Sequence, residues 1–515
     1  MAEPFRVLSF GFDSNILGHV SRENFTLVPE HETEGNQLPY TTVLIGNNGA
    51  GKSTILSYLS DVFQDLEYYQ NNYKRNKSRL NFLYTIEFQK GGFTYLISQR
   101  RKDLKRDKNG NYIFGFKYEL TVNGNDVEGT QEEWLEVRLP KKVIALSYLP
   151  LDRFKKKKND PNDYYLYLGM IDTNNVARPG SLISKGVIQL FDTVNKNKST
   201  EFIKNILDFM DVDPTHLGVR TSYRYKEHFF TNVMTTDRFE DLLTNWQQFS
   251  DRKQQPYGVG YFKSNIKGNS VLISELVTYI NTRIHQDSIS LGEKSTLDFN
   301  IFKNQELLHE WRLLEHLRKL DLIDNYSLNF KKKNGTTLDD VALSSGEFHY
   351  FTTIISICAS IEQDSLVLID EPETSFHPEW QMKYVNHLKE LLKSFGSCHF
   401  VFGSHSHFIV SDLENKSSEV VSIIGKAPDI RVESLNYPTY GWSAEEILFK
   451  VFKLRSTRNS FFEIRVHEIL HLLSTQSKDK DRIETLLAEL REVVVDRNDP
   501  LSRIISESES YLQSI

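Results

Sequence analysis

Apolar and polar positions along the chain alternate between two periods, and the places where the period changes divide it into elements. Short apolar runs bounded by turns, Phe5-Arg6-Val7-Leu8-Ser9-Phe10 and Thr41-Thr42-Val43-Leu44-Ile45, read as sheet strands within the first 45 residues. From Ile55 the spacing becomes helical, with Ile55, Leu56, Leu59, Val62, Phe63 and Leu66 on one face. Strand patterns return at Phe82–Phe88 and Phe93–Ile97. A basic turn then ends at Asn109-Gly110-Asn111, a hairpin signal, with Tyr112–Val122 as the return strand. This strand–turn–strand pattern predicts an antiparallel layer beside a main sheet. Val143–Ser147, Leu366–Ile369, His399–Gly403 and Val420–Ile424 read as buried strands, the last of them closing the sheet. Between them, Phe239–Phe249, Ile273–Ile284 and Leu307–Leu320 have helical spacing, and no repeat or sustained heptad appears. Ser443-Ala444-Glu445-Glu446 is a capping box that opens a charged, helical tail.

Composition narrows the class. The 515 residues are 39 % hydrophobic and 25 % charged, as in an ordinary soluble protein, and allow two to four domains. A net charge of −7 does not fit a polycation that coats nucleic acid. Cys358 and Cys398 are the only cysteines, too few for a disulfide framework or zinc finger and suited to a reducing cytoplasm. No signal pattern opens the chain, and no apolar run approaches the ~18–20 residues that span a bilayer. The expectation is a cytoplasmic protein without membrane contacts.

Chemistry enters where the strand ending at Ile45 meets the helix at Ile55. Gly46 to Ser53 match G-x-x-x-x-G-K-[ST], the phosphate-binding loop. Gly46, Gly49 and Gly51 let the backbone curl so that N–H groups of Gly46, Asn47, Asn48, Gly49, Ala50, Gly51, Lys52, Ser53 and Thr54 can face phosphate oxygens. Lys52 brings a point charge for the β and γ phosphates, and Ser53 a hydroxyl for Mg²⁺. Strand, loop and helix in this order predict binding of a nucleoside triphosphate.

A second cluster lies roughly 320 residues on. Asp370 ends the buried run Leu366–Ile369 and can hold Mg²⁺, and Glu371 beside it is placed to polarise an attacking water. Two adjacent carboxylates at a buried strand end repel each other without a cation, which disfavours a purely structural role. Ser344, Ser345, Gly346 and Glu347 open another helix, carrying Phe351, Ile354, Ile355 and Ile357. Taken alone, they could be nothing more than its N-cap.

Together these segments resemble the ATPases of the ABC and SMC type. Leu343 to Glu347 resemble the L-S-G-G-Q signature, with Ser345 at the first glycine and Glu347 at the glutamine. The resemblance implies that Ser344 and the Gly346 backbone face the γ-phosphate of ATP held by another subunit. It also implies that Thr374, Ser375 and His377 form a D-loop, that Asp370 and Glu371 are metal ligand and catalytic base, and that His405, in Ser404-His405-Ser406, contacts the γ-phosphate. His407 stands where the family more often has proline. No Q-loop glutamine is evident, the region Ser147–Asp152 being the nearest match. The Glu-x-Ser-x-His-Pro form of the D-loop is shared with the OLD-type and Septu-type defence ATPases. The implied fold is an α/β ABC/SMC-type phosphate-loop head with an antiparallel β layer, a mostly helical insertion and a helical C-terminal tail. Residues 1–150 and 336–428 would build the head, 151–335 the insertion, and 429–515 a tail for partner or oligomer contacts.

The resemblance further implies ATP and Mg²⁺ as cofactors and slow, regulatory ATP hydrolysis. It implies a head-to-tail homodimer closed by ATP, able to assemble further. As a Septu-like or retron-associated antiphage subunit, the chain would control a separate nuclease of the HNH type, with or without a reverse transcriptase and its RNA and DNA. No nuclease signature is visible in the chain itself. A rival is a DNA-repair ATPase of the RecF type, clamping DNA through the basic segments 74–79, 100–108 and 153–158, although the lysines at 155–158 read equally as a solvated loop. His467-Glu468-Ile469-Leu470-His471 matches HExxH, with Glu492 and Asp496 downstream. The short tail has no visible strand to hold a peptide, and helix packing is the default reading there.

Overall fold

The computed structural model describes residues 4–13, 25–29, 38–73, 80, 82–106, 112–147, 149, 152–156, 163–169, 186–187, 190–191, 201–224, 226–230, 233–245, 258–284, 296–302, 305–339, 342–411, 413–414, 416–424, 431–435, 439–454, 459–493 and 501–514. They fall into two compact units, 1–444 and 445–515.

Strands of the first unit are β1 (Arg6–Asp13), β2 (Phe25–Thr26), β3 (Tyr40–Gly46), β4 (Leu83–Lys90), β5 (Phe93–Arg106), β6 (Tyr112–Val122), β7 (Asn125–Val127), β8 (Val143–Ser147) and β9 (Tyr165–Tyr167). They continue as β10 (Val212–Ser222), β11 (Thr296–Asn300), β12 (Ser327–Lys332), β13 (Thr337–Asp339), β14 (Leu366–Asp370), β15 (His399–Ser404), β16 (Ser418–Ile424) and β17 (Arg431–Ser434). The central sheet runs β17-β16-β3-β15-β14-β8-β9 and is parallel except for β17. Its middle strands are apolar on both faces because both are covered: every residue of β3, β14 and β15 is buried.

The antiparallel layer is six-stranded, β2-β1-β4-β5-β6-β7. The expected Asn109–Asn111 turn lies outside the described residues, but β5 and β6 pair from Tyr95↔Val122 to Arg106↔Tyr112, as that hairpin requires. The helix Lys52–Asn71 shares one hydrophobic cluster with both layers: Leu56, Leu59 and Phe63 of the helix, Val7, Phe10 and Phe88 of the antiparallel layer, and Val143, Leu368 and Val401 of the parallel sheet. Burying each such side chain contributes about 1.5–3 kcal/mol. The cluster therefore holds the phosphate-loop helix at a fixed height over the strand ends.

The inserted segment carries the expected helices, at Thr236–Thr244, Ser270–Tyr279 and Gln305–Lys319. It also contributes to two sheets that helical spacing did not place. Tyr165–Tyr167 extends the central sheet, and β10 to β13 form a four-stranded antiparallel sheet ordered β11-β10-β12-β13. Alternation in β10 is broken by a register shift between Val212 and Leu217, which hides the period-2 signal. Beyond Val420–Ile424, expected as the last strand, β17 pairs antiparallel to it at the sheet edge.

The second unit contains helices Ser460–Ser474, Lys480–Val493 and Leu501–Ser514 around Ile469, Ile483, Leu486, Leu487 and Leu490. No helix among the described residues is long and apolar enough to cross a membrane.

Candidate nucleotide site

Parallel strands deliver their C-terminal ends to one edge of the sheet, and β3, β14 and β15 are neighbours there. β3 ends at Gly46, where a Cβ would lie 2.5 Å from the Ile423 carbonyl oxygen of β16, so only glycine fits. Gly49 and Gly51 have φ of +83° and +98°, left-handed values that let the loop curl back before the helix begins at Lys52. Asn47, Asn48 and Gly49 are exposed at the rim of the loop, whereas Ala50 is buried beneath it. The Lys52 ammonium donates to the Gly46 carbonyl at 2.9 Å and lies 3.5 Å from Glu371 Oε1.

Ser53 Oγ donates to Asp370 Oδ1 at 3.0 Å, joining two residues 317 positions apart. Asp370 is fully buried, and burial, aided by the Glu371 charge and opposed by the Ser53 hydrogen bond, pushes its carboxyl up to about 7. Its Oδ2 is buried and has no hydrogen-bond partner among the described residues. Mg²⁺ prefers hydroxyl and carboxylate oxygens, so this donor set fits it, and a cation would stabilise the charged carboxylate. A tighter group of ligand atoms, from Glu371, Glu373 and His405, lies within 4.8 Å of one another. Those atoms already bond each other and the backbone, so they read as a hydrogen-bonded network.

Glu371 follows β14 with φ of +51°, an unfavourable conformation for a side chain with a Cβ, held by its N–H donating to the Gly403 carbonyl at 2.8 Å. That turn brings its Oε2 into contact with His405 Nδ1, past the end of β15. Burial would raise the Glu371 carboxyl, but the His405 hydrogen bond and the Lys52 charge outweigh it and hold it below its usual range. The same hydrogen bond raises His405 against the opposing effect of burial. Each partner thus favours the charged form of the other, with Glu371 buried and His405 half exposed.

Ser344 caps the helix Ser345–Ser360. Its side chain accepts from the Glu347 N–H at 3.2 Å, and Glu347 accepts from the Ser344 N–H at 2.7 Å. Glu347 therefore closes a capping box where the family's glutamine would stand. A Cβ on Gly346 would lie 2.5 Å from the Ser375 carbonyl, so this helix start packs on the turn at Ser375 and Phe376. Tyr350 meets Phe376 and Trp380 edge-on behind it. Hydrogen bonds of Ser344 and Glu347 stay within the cap, whereas Lys52, Ser53, Asp370, Glu371 and His405 converge.

Reading from sequence left three contributors to the site without a role. Glu373 is buried and accepts, through Oε1, from Ser404 Oγ at 2.6 Å, His405 N at 2.9 Å and Ser406 N at 3.1 Å. Its signal was a second acid in Asp370-Glu371-Pro372-Glu373. At Gly403 a Cβ would meet Leu56 Cδ1 at 2.9 Å and Asp370 Oδ1 at 3.1 Å, so this glycine admits the phosphate-loop helix. Asp152 accepts from Tyr167 Oη at 2.5 Å, and its charge raises Asp370. It falls in the region matched to the Q-loop, of which Tyr148, Pro150 and Leu151 lie outside the described residues.

In the second unit, Glu468 of the HExxH stretch is bound by Arg482 at 2.6 Å and Arg465 at 3.4 Å. His467 and His471 are exposed, and among the described residues no metal-capable cluster includes them. Asp496 lies outside the described residues.

Residues 238–411 match the family described as "AAA domain, putative AbiEii toxin, Type IV TA system". That span takes in the Ser344–Glu347 cap, Asp370, Glu371 and His405 and excludes the phosphate loop. The chain is 26 % identical over 447 residues to the Septu protein PtuA of Bacillus thuringiensis, covering 85 % of each. It is 22 % identical over 442 residues to the Retron Vc95 probable ATPase of Vibrio cholerae serotype O1 biovar El Tor, covering 79 % of this chain and 73 % of that protein. An SMC head bound to the C-winged helix domain of ScpA aligns with a TM-score of 0.35 at 11 % identity, covering 83 % of this chain and 97 % of that one. The SMC head domain from Thermotoga maritima aligns with a TM-score of 0.32 at 10 % identity, covering 84 % and 100 %. The chain is thus similar, at low identity, to a Septu protein and a retron ATPase, and its residues 238–411 match an AAA domain family.

Proposed function

Taking an AAA-type ATPase domain as the premise, we propose that the chain binds ATP with Mg²⁺, hydrolyses it slowly, and uses its nucleotide state to control a separate nuclease in an antiphage system. The observation that carries this is the convergence of Lys52, Ser53, Asp370, Glu371 and His405 at one sheet edge. Lys52 and the loop N–H groups hold the phosphates. Ser53 and Asp370 hold the metal, which supplies charge neutralisation at the β and γ oxygens. Glu371 takes the proton of the attacking water, and His405 faces the γ-phosphate.

Among the described residues the Ser344–Glu347 helix start has no hydrogen bond to the phosphate loop of its own chain, which supports a reading in which it serves a second copy. Two chains head to tail would then each complete the other's site, and such dimers can assemble further. Residues 1–150 and 336–428 act as the head, 151–335 as an insertion, and 429–515 as the partner- or oligomer-binding tail. The similarity to a Septu protein and a retron ATPase supports a cytoplasmic defence role, an HNH-type nuclease partner and, in a retron setting, a reverse transcriptase with its RNA and DNA. Affinity purification of the tagged chain from its operon, with mass spectrometry, tests the reading. A stoichiometric nuclease supports it; recovery of the chain alone, with or without nucleotide, overturns the partner assignment.

One observation favours a second reading, DNA clamping. β5 pairs with β4 only as far as Ser98, and beyond it β5 and β6 run on as a two-stranded ribbon. The sequence places Arg100, Arg101, Lys102, Lys105 and Arg106 on that ribbon. ATP-dependent retention of duplex DNA, falling steeply with salt and lost on neutralising these residues, would favour the clamp.

A further inference from the structure

Two acids follow β14 at the nucleotide site, and they are held in different ways. Glu371 faces Lys52 and His405. Glu373 is turned under the end of β15, where one oxygen takes three donors of the turn that follows: the Ser404 hydroxyl and the His405 and Ser406 backbone N–H groups. Ser406 N–H also lies 3.0 Å from Ser404 Oγ, and Ser406 Oγ donates to Gln381 Oε1 at 2.5 Å. The turn carrying His405 is therefore anchored by one Glu373 carboxyl oxygen, with Gln381 holding the Ser406 hydroxyl. That oxygen is also 3.5 Å from His405 Nδ1, the atom that meets Glu371.

We infer that Glu373 is a positioning residue for ATP hydrolysis: by reach, it fixes the Ser404–Ser406 turn so that His405 holds Glu371 in the orientation that receives the proton of the attacking water. This inference rests on the proposed ATPase reading. Glu373 touches neither the phosphate loop nor Ser53 or Asp370 in the described contacts; it acts on Glu371 from beside it and through the turn that carries His405. The required property is an acceptor oxygen at a fixed distance from the turn. Burial and the neighbouring Glu371 raise the Glu373 carboxyl to about 7, so a neutral group is compatible with its place. Geometry at a reacting centre is unforgiving, and a displacement of about 1 Å can cost on the order of 100-fold in rate.

Reach and charge are separable by substitution. Glu373→Gln keeps the side-chain length and an acceptor oxygen but removes the charge. Glu373→Asp keeps the charge and withdraws the oxygen by one methylene. Steady-state ATP hydrolysis and fluorescent-nucleotide affinity are measured for the wild type, both variants and Glu371→Gln, with melting curves for each. The expected result is kcat within about threefold of wild type for Glu373→Gln and lowered at least about tenfold for Glu373→Asp, with nucleotide affinity unchanged in both. The reverse order, with Asp active and Gln inactive, overturns the inference in favour of charge. Equal activity in both variants, or parallel loss of affinity and melting temperature, overturns it as well. If the wild type hydrolyses no ATP, the ATPase reading itself fails, which is distinguishable because Glu371→Gln then changes nothing.

Discussion

Two stretches of this chain spell a hydrolytic motif, and the fold treats them in opposite ways. Asp370 and Glu371 end a buried strand, and their partners Lys52, Ser53 and His405 arrive from two neighbouring strands. His467, Glu468 and His471 lie on a single helix, where Glu468 is tied to Arg482 and Arg465 and both histidines face outward. A chemical site needs polar groups that the fold forces together and whose burial is compensated by one another or by a ligand. The first motif meets that requirement, down to a buried Asp370 oxygen without a hydrogen-bond partner among the described residues. The second is satisfied as an ordinary helix surface, its carboxylate already neutralised by arginines.

The contrast is broken most directly at Lys52. Lys52→Ala is expected to weaken ATP binding more than about 100-fold, read by nucleotide titration, because it removes the charge that meets the phosphates. Wild-type affinity in this variant would remove the first site's claim to be one. Glu371→Gln is expected to lower turnover at least about 100-fold while keeping ATP bound and trapping the nucleotide-closed dimer, seen by sizing with ATP. Unchanged turnover would sink the catalytic assignment. Gly403→Ala sharpens the comparison by disturbing the approach of the helix to the strand and to Asp370. Its Cβ would crowd Leu56 and Asp370, with an expected destabilisation of about 1–3 kcal/mol and weaker Mg²⁺ dependence, read by melting and metal titration.

A fourth test uses pH. The histidines at the two ends of β15 are opposites, since burial holds His399 well below the usual imidazole range whereas Glu371 raises His405. Burial also lowers His387, to about 4. For His399 and His387 the unfolded chain binds the extra proton, so stability falls as pH drops below about 6.5, by at most about 1.4 kcal/mol per pH unit for each. The His405 contribution has the other sign, present below about 6.5 and lost as pH rises through its raised value. Asp370 and Glu373, both raised to about 7, act with His405 against this trend between pH 7 and pH 5, so the test is differential: the melting temperature of His387→Phe relative to wild type should rise as pH drops from 7 to 5. A difference that stays constant with pH would contradict the burial of His387. The smallest effect is expected in the second unit: His467→Ala and Glu468→Gln should leave ATP turnover unchanged and the purified chain without stoichiometric zinc. Bound zinc lost with either substitution would revive the metal reading.

What was legible in the sequence was what is encoded locally. The phosphate loop shows itself because its glycines, its lysine and the helix that follows are contiguous. The strands at 43–45 and 366–369 show themselves because burial on both faces leaves an unbroken apolar run. The antiparallel layer was readable from a hairpin signal even though its tip at 109–111 lies outside the described residues. Glu373 was not readable as a partner of Ser404 and Ser406, since nothing in Asp370-Glu371-Pro372-Glu373 tells which acid turns under the neighbouring strand. Gly403 was read only as part of a strand; the helix that crowds it is more than 300 residues away. β10 escaped because its register shift breaks the alternation, and β17 because four residues at a sheet edge carry little pattern.

The position of β3 has a consequence for how the chain is made. It lies between β15 and β16, and Thr42 on it bonds His399, 357 residues further on. On a ribosome adding about 5–20 residues per second, the fully buried β3 waits roughly 20–70 s for the strands that flank it. During that time the nascent chain exposes Val43-Leu44-Ile45 as an unpaired strand beside a phosphate loop still without Asp370, the partner of Ser53. Fragments released before residue 424 would contain the loop without its sheet neighbour β16. Ribosome-bound chains of increasing length should accordingly acquire nucleotide binding in one late step, after β16 has emerged, with chaperone occupancy highest just before it.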